Sequence, residues 1–181
     1  MLMRAETSGL LVVDFQERLM PAIHQADAVI ANAIDLVRIA QRLEVPVLAS
    51  EQYPQGLGPT VAALRDRLPA DAFATKTHFS CTAERECMQR IDALGRDQIV
   101  LVGVEAHVCV LQTALGLQAT GKEVYLVADA VSSRSPRDLE LALARMRAEG
   151  VRIVSREMVI FEWLQRAGTD RFRAISREFL R

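Results

Sequence analysis

Three residues in this sequence have side chains that could together carry out acyl transfer: Asp14, Lys76 and Cys109. Each lies at or soon after the end of a short apolar run. Asp14 ends the run 9–13, Lys76 follows a weaker run at 72–75, and Cys109 comes soon after 99–104 and opens a helical pattern. A helix N-terminus carries free N–H groups and a partial positive charge. A thiol placed there ionises more readily, and the thiolate is the nucleophile. The same N–H groups can receive an oxyanion. An unpaired cysteine is otherwise a small buried hydrophobe. That reading suits Cys87, which falls on the apolar stripe of its helix, whereas Cys81 reads as a thiol at a helix start or on the surface. The position of Cys109 favours the nucleophile. Taken alone, Asp14 reads equally well as an N-cap for residues 17–20, and Lys76 as a solvated loop lysine. Taken together they say more. A lysine can pair with the carboxylate and stabilise a thiolate, while the carboxylate takes the thiol proton and later returns it to a leaving group.

The elements that must position this trio follow from the alternation of apolar runs. Residues 9–13, 45–49, 99–104, 124–130 and 151–154, with the weaker 72–75, are short and rich in Val, Ile and Leu. Such runs suit strands buried on both faces. Helical patterns cover 26–43, 84–94, 108–120 and 139–148, with terminal helices at 161–165 and 171–180. Ser135-Pro136-Arg137-Asp138 reads as an N-cap, a proline at the first helical position and an acid three residues on from the cap. Alternating strands and helices imply right-handed crossovers, hence a three-layer α/β/α domain around a mainly parallel, six-stranded sheet. In such sheets ligands bind beyond the carboxyl ends of the strands, near the topological switch point. All three residues fall there.

The chain has 181 residues, which favours one domain spanning 1–181. Half its residues are apolar and a quarter charged, as in ordinary globular proteins. The net charge of -1 gives no electrostatic reason to expect nucleic acid or an anionic membrane as a partner. Three cysteines with no CxxC pair argue against a disulfide framework or a zinc site. No uncharged apolar run reaches the roughly 18 residues of a membrane span, and Met1 to Ser8 lack the apolar core of a signal peptide. The expected location is a reducing cytoplasm, where a free thiol survives.

The motifs that hold the trio resemble those of the isochorismatase-like cysteine hydrolases, which include nicotinamidases and N-carbamoylsarcosine amidases. They are Leu11-Val12-Val13-Asp14-Phe15-Gln16, Thr75-Lys76-Thr77, and the most specific, Gly103-Val104-Glu105-Ala106-His107-Val108-Cys109-Val110-Leu111-Gln112-Thr113. The resemblance covers nearly the whole chain. Ser50-Glu51-Gln52-Tyr53-Pro54-Gln55-Gly56-Leu57-Gly58-Pro59-Thr60 and Asp129-Ala130-Val131-Ser132-Ser133-Arg134-Ser135 look like the isochorismatase-domain-containing subgroup. The resemblance implies a Rossmann-like fold and hydrolysis of a small amide or related C–N acyl substrate through a thioester. In that scheme Asp14 accepts the thiol proton, Lys76 stabilises the charged states and Cys109 attacks the carbonyl. It further implies a cis peptide between Val104 and Glu105, which turns the Glu105 N–H, with that of Cys109, toward the oxyanion. No cofactor is implied, and the partners are a small-molecule substrate and other copies of the chain in a homo-oligomer.

Three departures narrow the expectation. Isochorismatases proper hydrolyse a vinyl ether without this cysteine, so Cys109 argues for an amide. Metal-binding nicotinamidases place an Asp-x-His pair and a further histidine beside the pocket. Here the loop reads Ser50-Glu51-Gln52-Tyr53, so no metal is expected and nicotinamide is not the expected native substrate. Glu105 stands where many relatives have a small residue or threonine, and its side chain would narrow the pocket or pair with a nearby base.

Gln16, Leu19 and Tyr53 come from loops that should overhang the site and are expected as substrate-binding walls. His78 either joins them or bonds to loop backbone, and His107 is better read as a helix cap than as a pocket residue. Trp163 and Phe161 read as core or subunit-interface residues, and loop 53–60 as a lid or an interface. Two other functions compete with hydrolysis. One is a catalytically silent binding protein that keeps the fold. The other is a thiol sensor, ranked last because Cys109 has no evident resolving cysteine.

Overall fold

The computed structural model describes residues 1–180. Six strands form one parallel sheet: β1 Ser8–Val13, β2 Val47–Gln52, β3 Phe73–Lys76, β4 Gln98–Val104, β5 Glu123–Ser132 and β6 Arg152–Val154, in the order β3-β2-β1-β4-β5-β6. The helices are α1 Ala26–Arg42, the single turns α2 Pro54–Leu57 and α3 Ala62–Arg65, then α4 Arg85–Ala93, α5 Leu111–Ala119, α6 Pro136–Ala148, α7 Arg156–Leu164 and α8 Asp170–Phe179. This is the expected three-layer α/β/α architecture.

The unbroken apolar runs are explained by what lies on each side of the sheet. Side chains alternate along a strand. Leu10 and Val12 of β1, with Val100 and Val102 of β4, join a core with Leu36 and Val37 of α1, Ile160 and Trp163 of α7, and Ile175 of α8. Leu11 and Val13, with Ile99 and Leu101, join the opposite core with Ile91 of α4, Leu117 of α5 and Met146 of α6. Both faces are dry, so every position of β1 and β4 is buried. The edge strands β3 and β6 are short and partly exposed, which limits pairing with other chains.

Several boundaries differ from the sequence reading. Helix α7 starts at Arg156, earlier than the expected 161, because the Ser155 hydroxyl accepts the Met158 N–H and caps it. Trp163 is a core residue whose indole N–H donates to Ser8 Oγ at 3.0 Å, whereas Phe161 is exposed. Ser135 does stand at the N-cap of α6, but its hydroxyl makes no capping bond. Cys81 is fully buried rather than at the surface. Its N–H is taken by Thr113 Oγ1 at 3.0 Å, and the Cys81–Ala83 turn packs so tightly on α5 that a Cβ at Gly116 would lie 2.1 Å from Thr82 Oγ1. Among the described residues no helix is long and apolar enough to cross a membrane.

The strand order reverses between β1 and β4, so the crevice beyond their carboxyl ends is the switch point. Strand β4 reaches it through an irregularity. Leu101 pairs with Leu126 but Gly103 pairs with Val131, so β5 bulges and the end of β4 is re-aimed. Gly103 has φ +147°, and a Cβ there would sit 2.4 Å from the Val13 carbonyl oxygen and 2.6 Å from Val13 Cβ. Only glycine lets β4 pass β1 at this point. Gly103→Ala is therefore expected to lower stability by about 1–3 kcal/mol through overpacking, read as a fall in the urea midpoint. Gly121→Ala, where a Cβ meets nothing within 4 Å, is expected to cost only the left-handed backbone penalty of about 1 kcal/mol.

Candidate active site

Three parallel strands bring their ends to the crevice. Asp14 follows β1 with a left-handed backbone, φ 55°, and donates its N–H to the Ser50 carbonyl at 3.1 Å. That kink turns its carboxylate back over the sheet edge, fully buried. Oδ1 accepts from Ser50 Oγ at 2.7 Å and Oδ2 from Lys76 Nζ at 2.7 Å. Lys76 is the last residue of β3 and pairs in register with Gln52, the last residue of β2. Its ammonium donates to Asp14 Oδ2, to Gln52 Oε1 at 2.6 Å and to the Phe79 carbonyl at 3.1 Å. All three ammonium hydrogens are therefore used.

Cys109 arrives from β4 by a route different from a simple helix start. The chain passes a cis Val104–Glu105 peptide and enters a π-turn, Ala106–Val110, before α5 begins. The Val110 N–H bonds the Glu105 carbonyl at 3.2 Å across five residues, while the Glu105 N–H takes no partner among the described residues. Such turns carry one extra residue per turn and recur at functional sites. Cys109 is 6% exposed, and its thiol donates to Gln52 Oε1 at 3.9 Å. Gln52 Oε1 is thus a shared acceptor for the Lys76 ammonium and the Cys109 thiol.

The electrostatics follow from burial. Burial pushes the Asp14 carboxyl above its usual range, against the opposing pull of Lys76 and Ser50. Burial is the largest single influence on Lys76 and disfavours its ammonium, but the Asp14 charge and hydrogen bond, with the neighbouring Cys109 and Cys81, together hold the lysine above its ordinary value. For Cys109, burial comes first and the Asp14 charge second, and both push the thiol up against the pull of Lys76. The resting arrangement is an ion pair beside a neutral thiol, with the carboxylate biased toward accepting a proton.

Asp14 and Cys109 border a cavity of about 100 Å³ that Leu19, Gln52, Leu57, Phe79, Glu105 and Val108 also line, with Lys76 behind it on the Asp14 carboxylate. A larger groove of about 490 Å³, lined by residues 1–4, Phe161, Glu162 and Gln165, contains none of the strand-end groups. Glu105 is buried, and its Oε2 accepts from the Arg134 N–H at 3.1 Å and from Arg134 Nε at 3.0 Å. The sequence-derived site residues separate here. Asp14, Lys76, Glu105 and Cys109 converge, and Leu19 lines the cavity. Gln16 is buried behind it, with its amide bonded to the backbone of Gln52 and Gly58. Tyr53 and His78 do not reach this cavity. Tyr53 is exposed and borders a separate groove with Thr77 and Glu84, and the His78 ring lies 3.0 Å from Glu84 Oε2. His107 caps no helix, and its Nδ1 meets Ser133 Oγ at 2.9 Å.

Sequence reasoning missed Gln52, Leu57, Phe79 and Val108. The signal for Gln52 was the strand period: Ser50 and Gln52 are two apart, so they share a face where β2 outruns its apolar segment.

The isochorismatase domain family model matches residues 8–158. The chain is 39% identical to isochorismatase domain-containing protein 2 of Danio rerio over 179 residues, 96% of this chain and 88% of that protein. Among solved structures it is similar to the MAR1 ribonuclease of Caenorhabditis elegans, with TM-score 0.92, 32% identity and coverage of 100% and 93% of the two chains. It is also similar to the YcaC gene product of Escherichia coli, described as an octameric hydrolase of unknown specificity. There the TM-score is 0.90, the identity 20% and the coverage 97% and 89%, a likeness of fold alone. With a family model that spans most of the chain and a relative of this identity, the chain belongs to the isochorismatase domain family.

Proposed function

We propose that this protein is a metal-independent cysteine hydrolase acting on a small amide or related C–N acyl compound. The observation that carries this reading is that Asp14 and Cys109 line one small cavity while Lys76, behind it, is ion-paired to Asp14 and shares the Gln52 oxygen with the thiol. In the proposed reaction Asp14 takes the Sγ proton and the thiolate attacks the carbonyl carbon. The carbonyl electron pair moves to oxygen, where the Glu105 and Cys109 N–H groups receive it. Collapse breaks the C–N bond, and Asp14 returns its proton to the leaving nitrogen. The resulting thioester is cleaved by water, whose proton passes to Asp14. The C–S bond then breaks, and the thiolate regains the proton. Lys76 offsets the negative charge that moves between carboxylate, sulfur and oxyanion.

The cavity also limits the substrate. A volume of about 100 Å³ admits several water-sized groups, each of which needs on the order of 10–15 Å³. Leu19, Leu57, Phe79 and Val108 provide apolar walls. A short uncharged acyl group suits this space. The name of the Caenorhabditis relative raises RNA as an alternative substrate. An anionic polymer suits neither a net charge of -1 nor a small cavity bordered by two carboxylates. A silent binding role would not require a proton acceptor, a cation and a thiol at one point.

Steady-state assays over a panel of small amides and ureides, with an RNA oligonucleotide alongside, test the reading. Wild type is expected to turn over at least one amide, and Cys109→Ala to lose at least about 10³-fold in kcat/KM with its melting temperature preserved. Cleavage of RNA alone, or an amide turnover that survives Cys109→Ala, would sink it. A second expectation concerns the ion pair. Lys76→Met leaves a buried carboxylate without its cation, at a cost of about 3–5 kcal/mol at neutral pH. Burial raises the Asp14 pKa even against the pull of Lys76, and removing that cation raises it further. The lost stability should therefore return as pH falls through that raised pKa, since a neutral carboxyl needs no counter-charge. Urea titrations at several pH values check this, and a pH-independent cost would contradict it.

A further inference from the structure

Gln52 does more than fill space beside the trio. Its Nε2 donates to the Thr77 carbonyl at 2.7 Å, which fixes the orientation of the amide. A flipped amide would set NH2 against an ammonium and oxygen against a carbonyl. The oxygen must therefore face the site, where it accepts from Lys76 Nζ at 2.6 Å and from the Cys109 thiol at 3.9 Å. Its backbone is clasped as well. The Gln52 N–H donates to Gln16 Oε1 at 2.8 Å, and Gln16 Nε2 donates to the Gln52 carbonyl at 2.9 Å and to the Gly58 carbonyl at 2.7 Å. So many bonds on one neutral side chain, pinned from behind by another, point to a positioning role.

We propose that Gln52 is a positioning residue that controls where the proton of Cys109 resides. With an obligate acceptor beside the sulfur, the S–H form gains a bond and the thiolate meets a lone pair. The same oxygen occupies the third Lys76 hydrogen, so the ammonium cannot turn fully toward sulfur while Gln52 holds it. Gln52 thus keeps the thiol protonated at rest. The charged and titratable groups facing Cys109 are Asp14 from β1, Lys76 from β3, and Glu105 with its Arg134 partner from the end of β4 and the loop after β5; Cys81 lies behind Lys76. Gln52 is the neutral group among them that touches both the cation and the thiol. The inference rests on Cys109 being the thiol whose ionisation matters in the proposed hydrolysis, but it can be read without any substrate.

The test is the pH dependence of iodoacetamide alkylation at Cys109, followed by peptide mass spectrometry with the Cys81 and Cys87 peptides as internal references. Gln52→Met keeps the length and removes the acceptor. It is expected to raise the Cys109 rate about tenfold at neutral pH, a downward shift of about one unit in the profile. Gln52→Glu places a second carboxylate beside the sulfur and is expected to shift the profile upward. A residue that only fills space would leave the Met profile in place, whereas the added charge of the Glu variant moves its profile upward in either case and serves as the control that the site is sensed. An unmoved profile in the folded Met variant, or shifts of the same sign in both, overturn the proposal. If the Met variant does not fold, Gln52→Leu, which also removes the acceptor, takes its place, and an unmoved profile there overturns the proposal. If the profiles shift as expected while no amide is turned over, the hydrolase reading fails and the role of Gln52 stands.

Discussion

The ion pair between Asp14 and Lys76 is the constraint around which the carboxyl end of the sheet is organised. Both side chains are fully removed from solvent. Such a pair recovers its desolvation cost only with good geometry and with its remaining hydrogen-bonding capacity filled. Three adjacent strands contribute to filling it. Strand β1 supplies the carboxylate, β2 supplies the Ser50 hydroxyl and the Gln52 amide, and β3 supplies the ammonium. The Phe79 carbonyl from the following loop completes the set. The register of β1 on β2 and β2 on β3 therefore matters to within one residue, because a slip would turn these side chains to the opposite face. The left-handed backbone at Asp14 and the bulge in β5 are further adjustments that bring unlike elements to a common point.

How much of this could be read in advance depended on how local each signal was. The buried runs of β1 and β4 were legible because both faces of the sheet are covered, which leaves an uninterrupted apolar string. The ends of β2 and β3 were less legible, since Ser50, Gln52 and Lys76 are polar and look like loop. They remain in strand because their partners lie across the sheet rather than along the chain. Tyr53 and His78 show the reverse. They are sequence neighbours of Gln52 and of the Lys76 segment, yet the path of the chain sends Tyr53 to an outer groove and His78 to the Glu84 carboxylate. The burial of Cys81 came from the close approach of its turn to α5 at Gly116, a contact between distant segments that no periodicity announces. Cys109 was legible in position but not in its backbone, because a π-turn and an α-turn share the same residue preferences.

The polar groups around the cavity are largely committed to one another. Lys76 has no hydrogen left over, Asp14 uses both oxygens, and Glu105 is held through Oε2 by Arg134. The remaining walls are apolar. Discrimination at such a surface comes from size and from rejection of charge more than from matched hydrogen bonds. Small hydrophobic pockets separate ligands one methylene apart by only about 1–3 kcal/mol. Phe79 belongs to both systems, since it lines the cavity and its carbonyl holds the ammonium.

The π-turn at Ala106–Val110 has a consequence for how the helix can vary among related sequences. Each helical residue advances the azimuth by about 100°, so one inserted residue resets the phase between the segments on its two sides. Cys109 packs in the same core as Leu111, Ala114 and Leu117 of α5. The extra residue lets the sulfur border the strand-end cavity while those side chains keep their common packing face. Loss of a single residue inside the turn would rotate one of the two out of place.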